Sequence, residues 1–180
     1  MRLILGVLLL IMAPLAGADG AYTPVLGAFL INDRLALTQR SVNPVADSAT
    51  GLGFGLALDG GGSTRLSLEY SDFDMGESRQ LRLLDLNVDH FFTLASLPTA
   101  LRPFAGLAAG YGRLDVAPGH SQQPALGLRV GGTWALDPRL ALELGARYLH
   151  TGLVTHPAAG AEFAVNADSS LWLGLEYRLQ

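Results

Sequence analysis

The 180-residue chain has no cysteine and no lysine, so all twelve of its basic residues are arginine, set against sixteen Asp and Glu. The missing cysteine excludes a disulfide-stapled scaffold and fits an exported protein that does not rely on disulfides. The arginines stand singly along the chain, so no basic cluster exists to neutralise a run of phosphates, and nucleic acid is not an expected partner. A positive mean hydropathy excludes a disordered chain. Also missing are an apolar stretch long enough for a flanked membrane-spanning helix and any complete catalytic or metal motif. What is present in quantity is glycine, 22 residues of it.

The first eighteen residues run from Met1 and Arg2 through an apolar segment, Leu3 to Leu15, to the small residues Ala16-Gly17-Ala18. That order predicts a secretory signal peptide over 1–18 and an exported domain over 19–180, with cleavage after Ala21 as the alternative. Loss of Arg2 leaves eleven Arg against sixteen acidic side chains, a balance of −5 with His neutral.

Beyond the leader the organising signal is a period of two, repeated eight times between turn residues, which predicts strands rather than helices. Leu52, Phe54, Leu56 and Leu58 alternate with Gly51, Gly53, Gly55 and Ala57. Leu66, Leu68 and Tyr70 alternate with Arg65, Ser67, Glu69 and Ser71, and Leu126, Leu128, Val130, Trp134 and Leu136 with Gly127, Arg129, Gly131 and Thr133. Leu140, Leu142, Leu144, Ala146 and Tyr148 oppose Glu143, Gly145 and Arg147, and Leu171 to Leu179 alternates with Trp172, Gly174, Glu176 and Arg178. Three runs are less regular. About 24–37 sets Val25, Phe29, Ile31, Leu35 and Leu37 on one parity, with Asp33 marking a bulge or rim. About 80–92 sets Leu84, Leu86, Val88 and Phe92 against Asp85, Asn87 and Asp89. About 103–114 sets Ala105, Leu107, Ala109 and Tyr111 against Phe104 and a run of Gly and Ala, as a narrow interior would require.

Alternation alone does not say which face is inside, because soluble and membrane barrels carry it in opposite senses. Three features select the membrane sense. The polar face mixes both signs in Arg65, Glu69, Arg82, Asp85, Asp89, Arg129, Glu143, Arg147, Glu176 and Arg178, the composition of an ion-paired lumen. Tyr70, Tyr111 and Tyr148 gather at one rim of the apolar face, and Phe92, Trp134 and Tyr177 at the other, which predicts two aromatic girdles. The connections alternate: Asp59-Gly60-Gly61-Gly62, 93–102 and Asp137-Pro138-Arg139 are periplasmic, and 38–50, 75–79, 115–123 and 151–168 are the outer loops. The expected fold is therefore all-β: an eight-stranded antiparallel up-and-down transmembrane barrel in the outer membrane, in contact with lipid bilayer and lipopolysaccharide.

On these residues the mature chain resembles the small eight-stranded outer-membrane barrels, the opacity-like proteins and the transmembrane domain of outer membrane protein A. The resemblance is carried by Arg102-Pro103-Phe104-Ala105-Gly106 leading into Ala109-Gly110-Tyr111-Gly112, by Leu144 to Tyr148, and by Leu173 to Leu179. It implies an envelope-structural or adhesive role, with envelope or host partners met through the outer loops. The terminal strand is similar to the signal read by the outer-membrane insertion machinery, but ends in Leu179-Gln180 where the family usually ends in an aromatic. Eight strands leave an interior that side chains fill, so general porin activity is not expected.

Two other readings stay open at this point, a lipid A-modifying barrel enzyme and a soluble periplasmic barrel for an apolar ligand. For the enzyme, a deacylase-like resemblance would place a nucleophilic Ser two residues after His150, where this chain has Gly152. Thr151 lies on the opposite strand face. Asp168 with Ser169-Ser170 lacks a His at supporting spacing. His90, His120, His150 and His156 share no spacing, and Asp72, Asp74 and Glu77 read better as a solvated rim than as a Ca²⁺ site. The expectation is no catalytic residue, no metal and no cofactor.

Overall fold

The computed structural model describes residues 22–39, 42–76, 79–155 and 163–179. The expected leader and its cleavage site, Glu77 and His156 lie outside these residues. Eight strands follow in chain order: β1 (Thr23–Gln39), β2 (Val42–Asp59), β3 (Thr64–Asp74), β4 (Arg79–Phe91), β5 (Leu101–Val116), β6 (Gly119–Ala135), β7 (Leu140–Thr155) and β8 (Phe163–Arg178). Each pairs antiparallel with its neighbours, and β8 pairs with β1 to close the barrel.

The pairing fixes the barrel's geometry. Following partners from Val25 through Ala57, Ser67, Asn87, Ala108, Gly127, Leu149 and Asp168 leads back to β1 at Leu35. A stagger of ten residues around eight strands, at standard strand spacings, tilts the strands by about 40° and leaves an interior that side chains can fill.

The apolar parity points outward. Leu107, Leu126, Leu128, Leu144 and Leu171 are each more than 60% exposed, within a continuous belt that takes in all eight strands. In water such a surface would aggregate; its natural cover is hydrocarbon. A soluble ligand-binding barrel would turn this face inward, so that alternative is overturned.

Above the belt, at the end away from the termini, the pattern inverts within the same strands. The row Tyr70, Leu84, Tyr111, Pro124 is followed by Asp72, Arg82, Arg113, Gln122 and then by Asp74, Gln80, Asp115, His120, all on the outward parity. Inside at the same height stand Phe73, Leu81, Leu83, Leu114, Leu149, Leu153 and Val165, each 0 or 1% exposed. Polar outside and apolar inside is the pattern of a barrel wall in water. The strands therefore cross the bilayer and continue past it.

The structure corrects three expectations. Strand one faces the other way: Val25, Phe29, Ile31 and Asp33 are all buried inside, while Leu26 and Leu30 face out. No register shift falls at Asp33; the irregularities of β1 lie between Ala36 and Gln39. The outer loops are also shorter than expected, because β2 starts at Val42, β7 runs to Thr155 and β8 starts at Phe163, while β5 and β6 are joined through Ala117-Pro118 alone. At the other end, β2 turns into β3 through Gly61, whose φ of +67° suits glycine, with Gly61 N–H donating to Asp59 Oδ1 at 3.0 Å.

Candidate functional site: the charged interior and the outer wall

Three arginines sit fully inside the barrel, each facing carboxylates from other strands. Arg65 of β3 donates to Glu176 Oε1 (2.5 Å) and Glu143 Oε2 (2.7 Å), and through two nitrogens to Asp89 Oδ2 (3.1 and 3.3 Å). Arg129 of β6 donates to Glu69 Oε1 (2.6 Å) and Glu143 Oε1 (3.1 Å) and lies 3.2 Å from Asp89 Oδ1. Arg147 of β7 donates to Asp85 Oδ2 at 2.8 Å, with Asp168 of β8 at 3.8 Å. One cluster thus ties β3, β4, β6, β7 and β8 across the interior.

Aromatic rings and small polar groups complete it. The Arg65 guanidinium lies over Phe91 and Phe104, and that of Arg129 over Trp172, 4.8 Å from the ring centre. Trp172 Nε1–H donates to Glu143 Oε1 at 2.7 Å, so this carboxylate is held by three donors. Asn87 donates to Ser67 Oγ, which donates on to Glu69. Glycine makes the space: a Cβ on Gly106 would overlap Asp89 Oδ1, and Trp172 lies where a Cβ of Gly145 would be. The free space beside Glu69 and Glu176 is about 10 Å³, room for roughly one water. Such a cluster contributes little net stability against an apolar core of the same volume, yet removing one member strands its partners.

Of the ten residues expected inside, Arg82 stands outside and Arg178 lies apart from the central cluster. Arg82 is on the outward parity, near Asp72 (3.8 Å) and Asp115 (3.5 Å) and hydrogen-bonded to Gln80. It belongs to the polar wall above the belt, where an arginine faces water. Arg178 is inward but at the mouth near the termini, where it and Arg102 both donate to Asp59 Oδ2 (3.2 and 3.0 Å). Asp59, Arg102 and Asp168 are not among the residues expected in the interior. The first two sit at strand ends beside turns, and Asp168 closes the expected 151–168 loop, so their inward parity is not visible in the sequence.

The six aromatics lie on the outer wall. Tyr70, Tyr111 and Tyr148 are toward the far end, and Phe92, Trp134 and Tyr177 toward the termini, all 41–58% exposed. His90 packs edge-on against Phe92, with ring centres 5.1 Å apart, and is exposed. His120 and His150 also face outward. Asp72 accepts from Gln80 at 2.8 Å and Asp74 from Gly76 N–H at 2.9 Å. Among the described residues no three His, Asp or Glu converge on a metal-sized site. Thr151 is buried and donates to Val165 O at 2.6 Å. Ser170 and Asp168 point inward, while Ser169 faces out opposite Tyr148, two pairs along from His150 and Ala167.

No family model matches the sequence, and no curated protein matches it. Solved structures do. Neisserial surface protein A aligns over 87% of this chain and 97% of its own, with a TM-score of 0.68 at 14% identity. The outer membrane protein OprG of Pseudomonas aeruginosa covers 89% and 97%, with a TM-score of 0.65 at 12% identity. Ail, the attachment invasion locus protein of Yersinia pestis, covers 89% and 99%, with a TM-score of 0.52 at 10% identity. Closed eight-strand pairing, a lipid-facing apolar belt and a charged, filled interior converge on the same answer: the fold is that of the small eight-stranded outer-membrane β-barrels.

Proposed function

We propose that the protein is a non-catalytic barrel of the cell envelope that acts by contact, in a structural or adhesive role, through the surface it carries beyond the outer leaflet. The observation that carries this reading is the inversion above Tyr70, Leu84 and Tyr111. An ion cluster fills the interior nearer the termini and an apolar core fills its far part, so transport has little room. Strands that only anchored the chain would not need to continue past the bilayer with a polar outer wall. In this reading Arg65, Arg129 and Arg147 with their carboxylates lock the barrel, and the six aromatics anchor it at headgroup depth against phospholipid and lipopolysaccharide. The terminal strand β8 is what the insertion machinery engages. The name of one neighbour, attachment invasion locus protein, agrees in kind.

A second reading, lipid modification at the outer rim, is favoured only by the cross-strand neighbourhood of Ser169 and His150. The two readings separate cleanly. For a contact protein, the purified barrel gives no conductance steps in planar bilayers, overproduction leaves lipid A acylation unchanged, and overproducing cells gain attachment or self-aggregation. Loss of an acyl chain from lipid A, abolished by His150→Ala, would instead establish the enzyme.

A further inference from the structure

The connection from β4 to β5 has no counterpart among the tight hairpins at the same end. From Phe92 to Ala100 it carries no charged residue, unlike a solvated turn, and leaves Phe92 44% and Leu94 50% exposed. Two internal turns hold it, Leu97 N–H to Leu94 O at 3.0 Å and Leu101 N–H to Pro98 O at 2.9 Å. Between it and Gly61–Ser63 lies a groove of about 530 Å³, within the usual range for a site that takes one small molecule.

Two features of this groove say what would fill it. It is continuous with the lipid-facing wall, since Phe92 stands on the outward parity and Leu101 pairs with Trp134, itself 58% exposed. It also has a cationic end. Arg102 lines it, donating to Asp59 Oδ2 and to Gly62 O, while Arg178 donates to the same carboxylate oxygen. One aspartate serves two guanidiniums, leaving a positive excess where the groove meets the mouth.

We propose that the groove under the β4–β5 connection holds one acyl chain of a glycerophospholipid from the leaflet at the termini end, with the lipid phosphate at Arg102. The chain is a neighbour of this wall already, and the groove lets it pass from the annulus into a fitted seat. The phosphate supplies the second anion that Arg102 and Arg178 lack.

The barrel is refolded into vesicles of phosphatidylethanolamine and phosphatidylglycerol, extracted, washed free of loose lipid in detergent, and weighed by native mass spectrometry. Wild type retains one phospholipid. Ala95→Trp, which fills the groove, cuts retention at least roughly tenfold, and Leu173→Trp on the open wall does not. Arg102→Gln removes the preference for phospholipid over diacylglycerol. Heat-shifted gel mobility shows that each variant is folded. A wild-type barrel that emerges free of lipid, an Ala95→Trp variant that keeps its phospholipid, or a groove occupied by a second copy of the chain would each overturn the assignment.

Discussion

Gly110 of β5 lies directly opposite Asp85 of β4, and a Cβ built on it would overlap Asp85 Oδ1 and sit 2.5 Å from Leu84 O. The buried carboxylate occupies the space the glycine leaves. Gly110→Ala must push β4 away and loosen the Asp85–Arg147 pair. The expected loss is about 1–3 kcal/mol, read as a lower urea midpoint for the barrel in detergent micelles.

Removal of Arg65 tests the cluster at its most connected member. Arg65→Leu leaves Asp89, Glu143 and Glu176 without that guanidinium, at an expected cost of about 3–5 kcal/mol, with heat-modified gel mobility lost at lower temperature. Trp172→Phe keeps the ring over Arg129 and deletes one donor to Glu143, for a smaller loss of about 1.5–3 kcal/mol. Equal losses would contradict the connectivity described.

The membrane boundary on β6 is testable with one substitution at two heights. Leu128→Arg puts a guanidinium into the belt at an expected cost of about 2–4 kcal/mol, falling to near zero for Gln122→Arg on the same face six residues nearer the far end. Refolding yields into vesicles measure both. A full cost at Gln122 would place the boundary higher than the Asp72–Arg82–Arg113–Gln122 row.

Beyond the belt, a hydrogen bond from Arg113 holds the Asp115 carboxyl below the ordinary carboxylate range. A lowered folded-state value means a favourable contribution that is present above the unfolded value and lost as pH falls through the folded one. Carboxyl NMR titration of Asp115 is expected to show the low value, and Arg113→Gln to return it toward normal.

Legibility in the sequence followed the chemistry of each strand. β6, β7 and β8 are legible with the correct facing because their outward residues are large and apolar while, Trp172 apart, their inward ones within the belt are small, polar or charged. β1 misled because its inward residues are themselves large. Phe29 lies over the positions where Gly27, Gly55 and Gly174 would carry a Cβ, and an interior aromatic seated on glycines of three strands looks, from sequence, like a lipid-facing one. The extensions of β5 and β6 past the bilayer coincide with the expected 115–123 loop for a related reason: there the outward face is polar, and a search for apolar-out alternation stops at the belt. Which arginine meets which carboxylate depends on the stagger of ten residues, which no single strand records.

The closing seam has a further consequence, for the order of assembly. Val25 pairs with Arg178 and Leu26 with Tyr177, among the most distant partners the chain contains. Until β8 arrives, β1 is a strand with one bare side, and in hydrocarbon every bare N–H and C=O on it goes unanswered. A half-built sheet therefore has no stable resting place across the bilayer, and entry into the membrane and completion of the ring must be one event, timed by the last strand to be made.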